Sequence, residues 1–290
     1  MRRFVLSTLM TVYLGFSLSN AGIYSGPTDT SNAIDPAIAS NDSRFFEWAD
    51  AIDASRTMFA PNGSTMIDQT GGFNSLGDLD STQIGNGDLP GFLTVTFPSG
   101  IFNGAGTDFA IFENGGAFFT EPFRFAELAY VEVSTNGADF ARFPSIATNL
   151  ESDLNIGFGR GFAGVDVTNV FNLAGKHEAG FGTPFDLDDL LSDPLVLGGQ
   201  LDLNDIQFVR IVDIPGDGSF LDSQSNPILD PWTTGGGLGG FDFALGVGSG
   251  VGVFNAVAIP EPSGFVAIAT VCVFAFRKRN RDRRLAGGRR

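Results

Sequence analysis

The sequence contains very little cysteine, histidine and positive charge. Its 290 residues include one Cys and one His, and 17 Lys and Arg stand against 33 Asp and Glu. A single Cys excludes an intramolecular disulfide and a thiolate zinc site, and a single His excludes a metal centre built from several histidines. The net charge of −16 argues against a nucleic-acid partner, because such surfaces need clustered cations.

Apolar residues, by contrast, are abundant. They make up 43% of the chain and include 30 Phe, so there is ample material for a core. The length suits one large all-β domain or two smaller ones. No stretch is typical of a linker, so we expect one domain over residues 22–258.

The first residues are typical of a secretory signal. Arg2 and Arg3 precede an apolar run over residues 4–18, and Ser19-Asn20-Ala21 supplies the small residues of a cleavage site. We therefore expect a signal helix within residues 1–21, cleavage after Ala21, and export of the chain.

The C-terminal residues carry a second targeting pattern. Pro260-Glu261-Pro262 precedes an apolar run, and we predict a transmembrane helix over residues 263–276. This helix is shorter than the ~20 residues of a typical span, although flanking arginines can extend its reach. The positive-inside rule places the basic end in the cytoplasm and the body outside. The first basic residues after the run are Arg277, Lys278, Arg279 and Arg281.

The order of Pro-Glu-Pro, apolar helix and arginines over residues 259–290 resembles a PEP-CTERM sorting signal. The resemblance implies export from a Gram-negative-type bacterium by its secretion machinery and transient anchoring in the inner membrane. It also implies recognition by an exosortase, which leaves the protein at the cell surface or in the extracellular matrix. The family is associated with exopolysaccharide and biofilm surfaces.

Without its two ends the chain is much more acidic. Residues 22–262 keep seven cations and 32 acids, a difference of −25. Such a body repels anionic polymers and welcomes divalent cations, since calcium prefers several carboxylate and carbonyl oxygens. Solubility of a secreted protein is the alternative reason for so many acids.

The body's sequence pattern predicts a mostly all-β fold. Apolar residues three or four apart after the capping pair Asp42-Ser43 predict one short amphipathic helix over residues 43–57. Beyond it the pattern has a period of two, and Asn136-Gly137 predicts a hairpin turn. We therefore expect an antiparallel β-sandwich with a jelly-roll-like body. The predicted strands cover residues 92–97, 108–113, 129–133, 139–143, 164–171, 206–214 and 241–258.

Several segments between residues 43 and 257 resemble bacterial PEP-CTERM cell-surface proteins with a jelly-roll-like body. That family usually ends in Gly-Phe-Asp-Leu-Asp-Ala-Val, and here Asp242 is kept while Ala244 stands at the second Asp. The resemblance implies fold and location rather than an activity. Three of the matching segments are Phe46-Glu47-Trp48-Ala49-Asp50, Asp108-Phe109-Ala110-Ile111-Phe112-Glu113-Asn114 and Gly239-Gly240-Phe241-Asp242.

Two acidic groupings are candidate metal sites, with calcium as the candidate cofactor. In the first, Asp213, Asp217 and Asp222 surround a glycine-containing loop that can bring their oxygens together. Neither grouping has the spacing of an EF-hand, and solvated turns and caps are the alternative. The second grouping brackets a predicted strand whose end can face Asp242, and it consists of Asp108, Glu113 and Asn114.

A third acidic grouping predicts a helix N-terminus instead of a metal site. Asp186 is placed to cap, and Asp188 and Asp189 favour the helix dipole. The only His lies in Lys176-His177-Glu178, where we expect a polar loop contact. Trp232, beside Pro231 in a predicted loop, is the main candidate for stacking on a sugar ring. The other stacking candidates are Phe118, Phe119, Phe123 and Tyr130.

These patterns together favour a non-enzymatic, exported surface or matrix protein that can bind calcium and extracellular polysaccharide. One alternative is a secreted carbohydrate-active hydrolase using paired carboxylates such as Asp108 and Glu113. Another is a purely structural component of a surface layer.

Overall fold

A computed structural model describes residues 22–233 and 239–255. The predicted signal segment with Ala21, the Pro260-Glu261-Pro262 motif, the predicted helix 263–276 and the basic cluster lie outside the described residues. Within the described residues, every helix is too short or too polar to cross a membrane.

The described residues are mostly β, with antiparallel sheets and few helices. The α-helices there are α1 (Ser81–Asn86) and α2 (Pro194–Leu197), and 3-10 turns lie at Ala54–Arg56, Glu151–Asp153, Arg160–Phe162, Val167–Asn169 and Leu187–Leu190. The strands are β1 (Ile38–Ala39), β2 (Glu47–Trp48), β3 (Phe73–Ser75), β4 (Phe92–Ile101), β5 (Phe109–Phe112), β6 (Phe123–Arg124), β7 (Ala129–Ser134), β8 (Ala141–Arg142), β9 (Ile146–Ala147), β10 (Val165–Asp166), β11 (Val170–Phe171), β12 (Phe181–Phe185), β13 (Ile206–Asp213), β14 (Asp217–Leu221), β15 (Pro227–Leu229), β16 (Asp242–Ala244) and β17 (Gly250–Val253).

Two sheets enclose the main core. One has the strand order β1-β12-β5-β17-β2 and the other β4-β13-β7-β8, and their pairings are antiparallel. Phe109 and Ile111 of β5 pack in the same hydrophobic cluster as Val209 and Ile211 of β13. Alternate residues of β5 face a second, smaller cluster, as the period of a strand requires. The arrangement is consistent with a β-sandwich.

The predicted strand over residues 92–97 is confirmed. Leu93, Val95 and Phe97 of β4 are all buried in the main core. The predicted Asn-Gly hairpin is also confirmed, since β7 and β8 pair across a turn in which Gly137 has a φ of 71°. A positive φ is open to glycine because it has no Cβ.

The predicted helix over residues 43–57 is wrong. Trp48 belongs to β2 and pairs with Gly252 of β17, while a 3-10 turn capped by Asp53 follows. The aromatic rings that suggested a helical face pack together instead, with Phe45 and Trp48 centroids 4.5 Å apart. An α-helix forms at α1, where Asp80 begins a capping box.

The predicted capping role of Asp186 is confirmed. Its side chain accepts a hydrogen bond from the Asp188 backbone N–H at 2.9 Å, at the start of the 3-10 turn Leu187–Leu190. Asp186 therefore serves a local turn.

Candidate metal centre

Six carboxylates from distant parts of the chain influence one another in the fold. Asp242 is half-buried and the other five are at most 8% exposed. We call this group the acidic cluster, and its members are Asp78, Glu113, Glu127, Asp213, Asp230 and Asp242.

Three members of the acidic cluster have the geometry of a cation site. Glu113, Glu127 and Asp242 each offer a carboxylate oxygen, and these atoms lie within 4.8 Å of one another. Glu113 directly follows β5, Glu127 precedes β7 and Asp242 begins β16. Strand ends from separate parts of the chain therefore bring together oxygen ligands of the kind that calcium prefers.

Neighbouring polar groups fix the orientation of Asp242. Asn114 Nδ2 donates to Asp242 Oδ2 at 2.7 Å, and Ser75 Oγ donates to the other oxygen. Ser75 lies directly opposite Asp242 in the β3–β16 ladder. The carboxylate is thus held in place by the sheet and by the residue next to Glu113.

A second half of the acidic cluster lies deeper. The Phe241 backbone N–H donates to Asp213 Oδ1 and the Leu128 backbone N–H donates to Asp230 Oδ2, both at 2.8 Å. The chain approaches these carboxylates closely: a Cβ added at Gly240 would lie 2.5 Å from Asp213 Oδ1. Gly240 also has a φ of 72°, so this position requires glycine for two reasons.

Two buried oxygens in the acidic cluster lack a hydrogen-bond donor. Glu113 Oε2 and Asp213 Oδ2 have no partner among the described residues. An unsatisfied buried carboxylate oxygen is costly. These two oxygens are therefore free to accept a hydrogen bond or to bind a cation.

Burial and mutual repulsion raise the pKa values of three carboxyls of the acidic cluster. Burial, reinforced by Glu127 and Asp242, raises the pKa of Glu113 well above its usual range. Burial and Asp78 raise the pKa of Asp213 in the same way. The pKa of Asp230 is also raised well above normal by burial and by neighbouring acids. Each shift reflects the cost of a charged carboxylate in this environment.

The ion pairs of the described residues lie away from four members of the acidic cluster. Within residues 22–233 and 239–255, the ion pairs include none of Glu113, Asp213, Asp230 and Asp242. Arg160 comes near, but its guanidinium donates to the backbone carbonyls of Asp230 and Gly216. Both of these hydrogen bonds end on carbonyl oxygens, and Arg160 forms its ion pair with Glu151 instead.

The remaining predicted metal ligands hold local structure. Asp108 is fully buried and accepts hydrogen bonds from the Gly104 and Leu187 backbone N–H groups, both at 2.7 Å, and from the Asn255 amide at 2.8 Å. Its carboxylate joins three segments of chain. Asp108 is therefore used by the fold, whereas Glu113 at the other end of the same strand belongs to the acidic cluster.

The first predicted grouping is divided in the structure. Asp213 lies in the acidic cluster, but Asp217 accepts hydrogen bonds from the Ser219 N–H and hydroxyl. Asp222 accepts from the backbone N–H groups of Ala147, Gln224 and Asn226. Asp217 and Asp222 each stabilise a turn, the alternative that such spacing allows.

Sequence reasoning did not single out Asp78, Glu127 and Asp230 as candidate ligands. None of them lies in a recognisable spacing with Glu113 or Asp242. Glu113 precedes and Glu127 follows the Gly116–Phe125 bridge in the sequence, and no local pattern predicts that bridge.

A small surface pocket lies next to the three close carboxylates. It has a volume of about 200 Å³ and its lining includes Glu113, Asn114, Asp242, Phe73 and Ala179. We call it the acidic pocket. Two of the three close carboxylates, those of Glu113 and Asp242, therefore line the acidic pocket.

The aromatic candidates for sugar stacking differ in burial and in surroundings. Trp232 is half-buried, and its indole N–H donates to the Leu79 carbonyl at 3.0 Å. Tyr130 is buried, with its hydroxyl donating to the Leu221 carbonyl, and Phe123 is half-buried in β6. Phe118 and Phe119 line an apolar cavity of about 450 Å³, which we call the phenylalanine pocket; its other lining residues are Phe125, Phe158 and Phe162. A lining without hydrogen-bonding side chains suits an apolar group better than a sugar.

Comparisons of this chain with models of protein families, with curated proteins and with solved structures found no match.

Proposed function

We propose that this chain is a non-enzymatic exported surface or matrix protein whose body binds a divalent cation, calcium, at Glu113, Glu127 and Asp242. The observation that carries the proposal is the buried Glu113, whose Oε2 lacks a donor among the described residues and whose carboxylate belongs to a site of three close carboxylates. A cation supplies the positive charge that the carboxylates need.

The sequence supports a location outside the cell. The N-terminal signal pattern and the Pro260-Glu261-Pro262 motif with its apolar and basic segments favour export and exosortase sorting. The antiparallel sheets support a jelly-roll-like body. A body charge of −25 favours cations over anionic polymers, and exopolysaccharide of the surroundings is the proposed partner.

Thermal melting of the purified protein in calcium and in EGTA tests cation binding. Calcium at a hundred times its dissociation constant stabilises the folded state by about 2.7 kcal/mol, which raises the melting temperature by several degrees. Asp242→Asn removes one proposed ligand and should lose most of that rise. Asp217→Asn, whose carboxylate holds its own turn, is the matched control and should keep it. Equal melting of the wild-type protein in calcium and EGTA would reject the proposal.

A secreted hydrolase is the second candidate. Glu113 has a raised pKa and lies beside Asp242 at an open pocket. Retaining glycosidases also pair a protonated acid with a nearby carboxylate. Turnover of any polysaccharide that disappears in Glu113→Gln would favour this function. Self-assembly of the protein with neither calcium nor sugar bound would favour a structural layer component instead.

A further inference from the structure

The acidic pocket gives the proposed cation an open side. Glu113 and Asp242 line this pocket and also belong to the group of three close carboxylates. A ligand in the pocket therefore lies next to any cation that these carboxylates hold.

The protein oxygens alone leave such a cation incompletely coordinated. Calcium takes about six to eight oxygen ligands. Both oxygens of Asp242 already accept hydrogen bonds, from Asn114 and from Ser75. Further oxygens have to come from the side of the pocket, either from water or from a bound molecule.

Charge indicates which kind of molecule fits. Three carboxylates around one divalent cation leave a negative site, and Asp213 and Asp230 of the acidic cluster are buried more deeply still. An anionic ligand is therefore repelled. A neutral ligand with adjacent hydroxyl groups supplies oxygens without adding negative charge.

Phe73 gives the pocket an apolar side. Ser75 pairs with Asp242 and Phe73 with Ala244, so Phe73 and Asp242 share one face of the β3–β16 ladder. Phe73 is 58% exposed. An exposed aromatic ring beside oxygen ligands suits a sugar, which has an apolar ring face and a hydroxyl edge.

We infer that the acidic pocket binds a neutral sugar unit of a polysaccharide, whose adjacent hydroxyls complete the coordination of the cation while its ring packs on Phe73. This inference rests on the proposed cation site. It names the class of ligand as neutral and hydroxylated, and it makes the binding dependent on the cation.

Affinity electrophoresis tests the inference with defined probes. The purified protein is run through gels containing mannan, dextran or polygalacturonate, in calcium and in EGTA. We expect retardation by mannan or dextran in calcium, at least a tenfold weaker apparent affinity in EGTA, and no retardation by polygalacturonate.

Pocket variants separate the sugar from the cation. Ala179 is exposed and lines the acidic pocket without offering a ligand atom, so Ala179→Trp should fill the pocket. This variant should keep the calcium-induced rise in melting temperature and lose retardation at least tenfold. Phe73→Ala should weaken retardation several-fold. Ala138→Trp, at an exposed position in the β7–β8 turn, is the matched control and should behave as the wild-type protein.

The two proposals fail in different ways. A calcium-induced rise in melting temperature without retardation by either neutral polymer would overturn the sugar inference and leave the cation site standing. Equal retardation in EGTA, undiminished retardation of Ala179→Trp, or binding to polygalacturonate alone would also overturn it. Absence of a calcium effect on melting, measured without sugar, would reject the cation site itself.

Discussion

Two groups of buried charges in this protein are handled in opposite ways. Lys176 and Asp35 form an ion pair of 2.5 Å with side chains 0% and 2% exposed. Lys176 also donates to the Val170 carbonyl and Asp35 accepts from the Ser25 N–H. In the acidic cluster, Glu113 and Asp213 are 8% and 0% exposed, and each keeps an oxygen without a donor among the described residues.

The difference shows what the acidic cluster requires. Burying an ion is costly unless an opposite charge and hydrogen bonds compensate it. At Lys176 the chain supplies that compensation itself. At the acidic cluster two carboxylate oxygens have no hydrogen-bond donor among the described residues, and we propose that a cation from solution supplies the compensation.

The largest expected effect comes from breaking the compensated pair. Asp35→Asn leaves Lys176 buried without its counter-charge, so the free energy of unfolding should fall by about 3–5 kcal/mol. Urea unfolding measures the change. Asp42→Asn, in a pair whose Arg44 side chain is 66% exposed, is the control and should cost less than about 1 kcal/mol. Similar losses in the two variants would remove the contrast.

Neutralising one acid of the acidic cluster should raise the free energy of unfolding, the opposite of the effect expected at Asp35. In EGTA at neutral pH, Glu113→Gln relieves repulsion from Glu127 and Asp242 and should raise the free energy of unfolding by about 1 kcal/mol. The same variant should lose the response to calcium. Glu121→Gln, at a side chain that is 64% exposed, should change neither quantity by more than about 0.5 kcal/mol. A destabilised Glu113→Gln with an intact calcium response would contradict this prediction.

A smaller effect is expected from pH. Because the pKa values of Glu113, Asp213 and Asp230 are raised in the folded state, the folded protein binds more protons than the unfolded chain above the ordinary carboxyl range. Stability in EGTA therefore falls as pH rises through the interval up to the raised values.

Protons and calcium compete for the same oxygens, so the calcium-induced rise in melting temperature should be greater at pH 7.5 than at pH 5. The buried His177, whose pKa is lowered well below its usual value, acts in the opposite direction, since its contribution to stability is lost as pH falls. That contribution is common to the calcium and EGTA samples and largely cancels in their difference. A calcium effect independent of pH would show that the cation binds elsewhere.

Residues 43–57 and 92–97 show where the sequence predicts this fold and where it misleads. Leu93, Val95 and Phe97 alternate along one buried strand face, and local alternation is sufficient to predict that strand. Phe45 and Trp48 have helical spacing, yet their rings pack with Phe112 of β5. Tertiary packing between distant segments overrides such a local preference.

In the candidate metal centre, too, local sequence predicts some residues, and packing between distant segments decides the others. The sequence places Glu113 and Asn114 at the end of a strand and suggests Asp242 as a neighbour, and the structure joins Asn114 to Asp242. The sequence does not predict that Glu127, Asp78 and Asp230 belong to the acidic cluster, because only the pairing of separate strands and loops brings them together. The count of 33 acids shows that carboxylates are plentiful, but it does not show which of them lose their contact with water.

The position of β17 has a mechanical consequence if the protein is held by its C-terminal segment, as the proposed sorting implies. This strand lies between β5 and β2, with Gly252 opposite both Ala110 and Trp48. Tension applied to the chain beyond Asn255 would therefore enter the interior of the five-stranded sheet. The load would fall on hydrogen bonds along both sides of β17, so the body would resist a pull as a unit and would not be peeled from an edge.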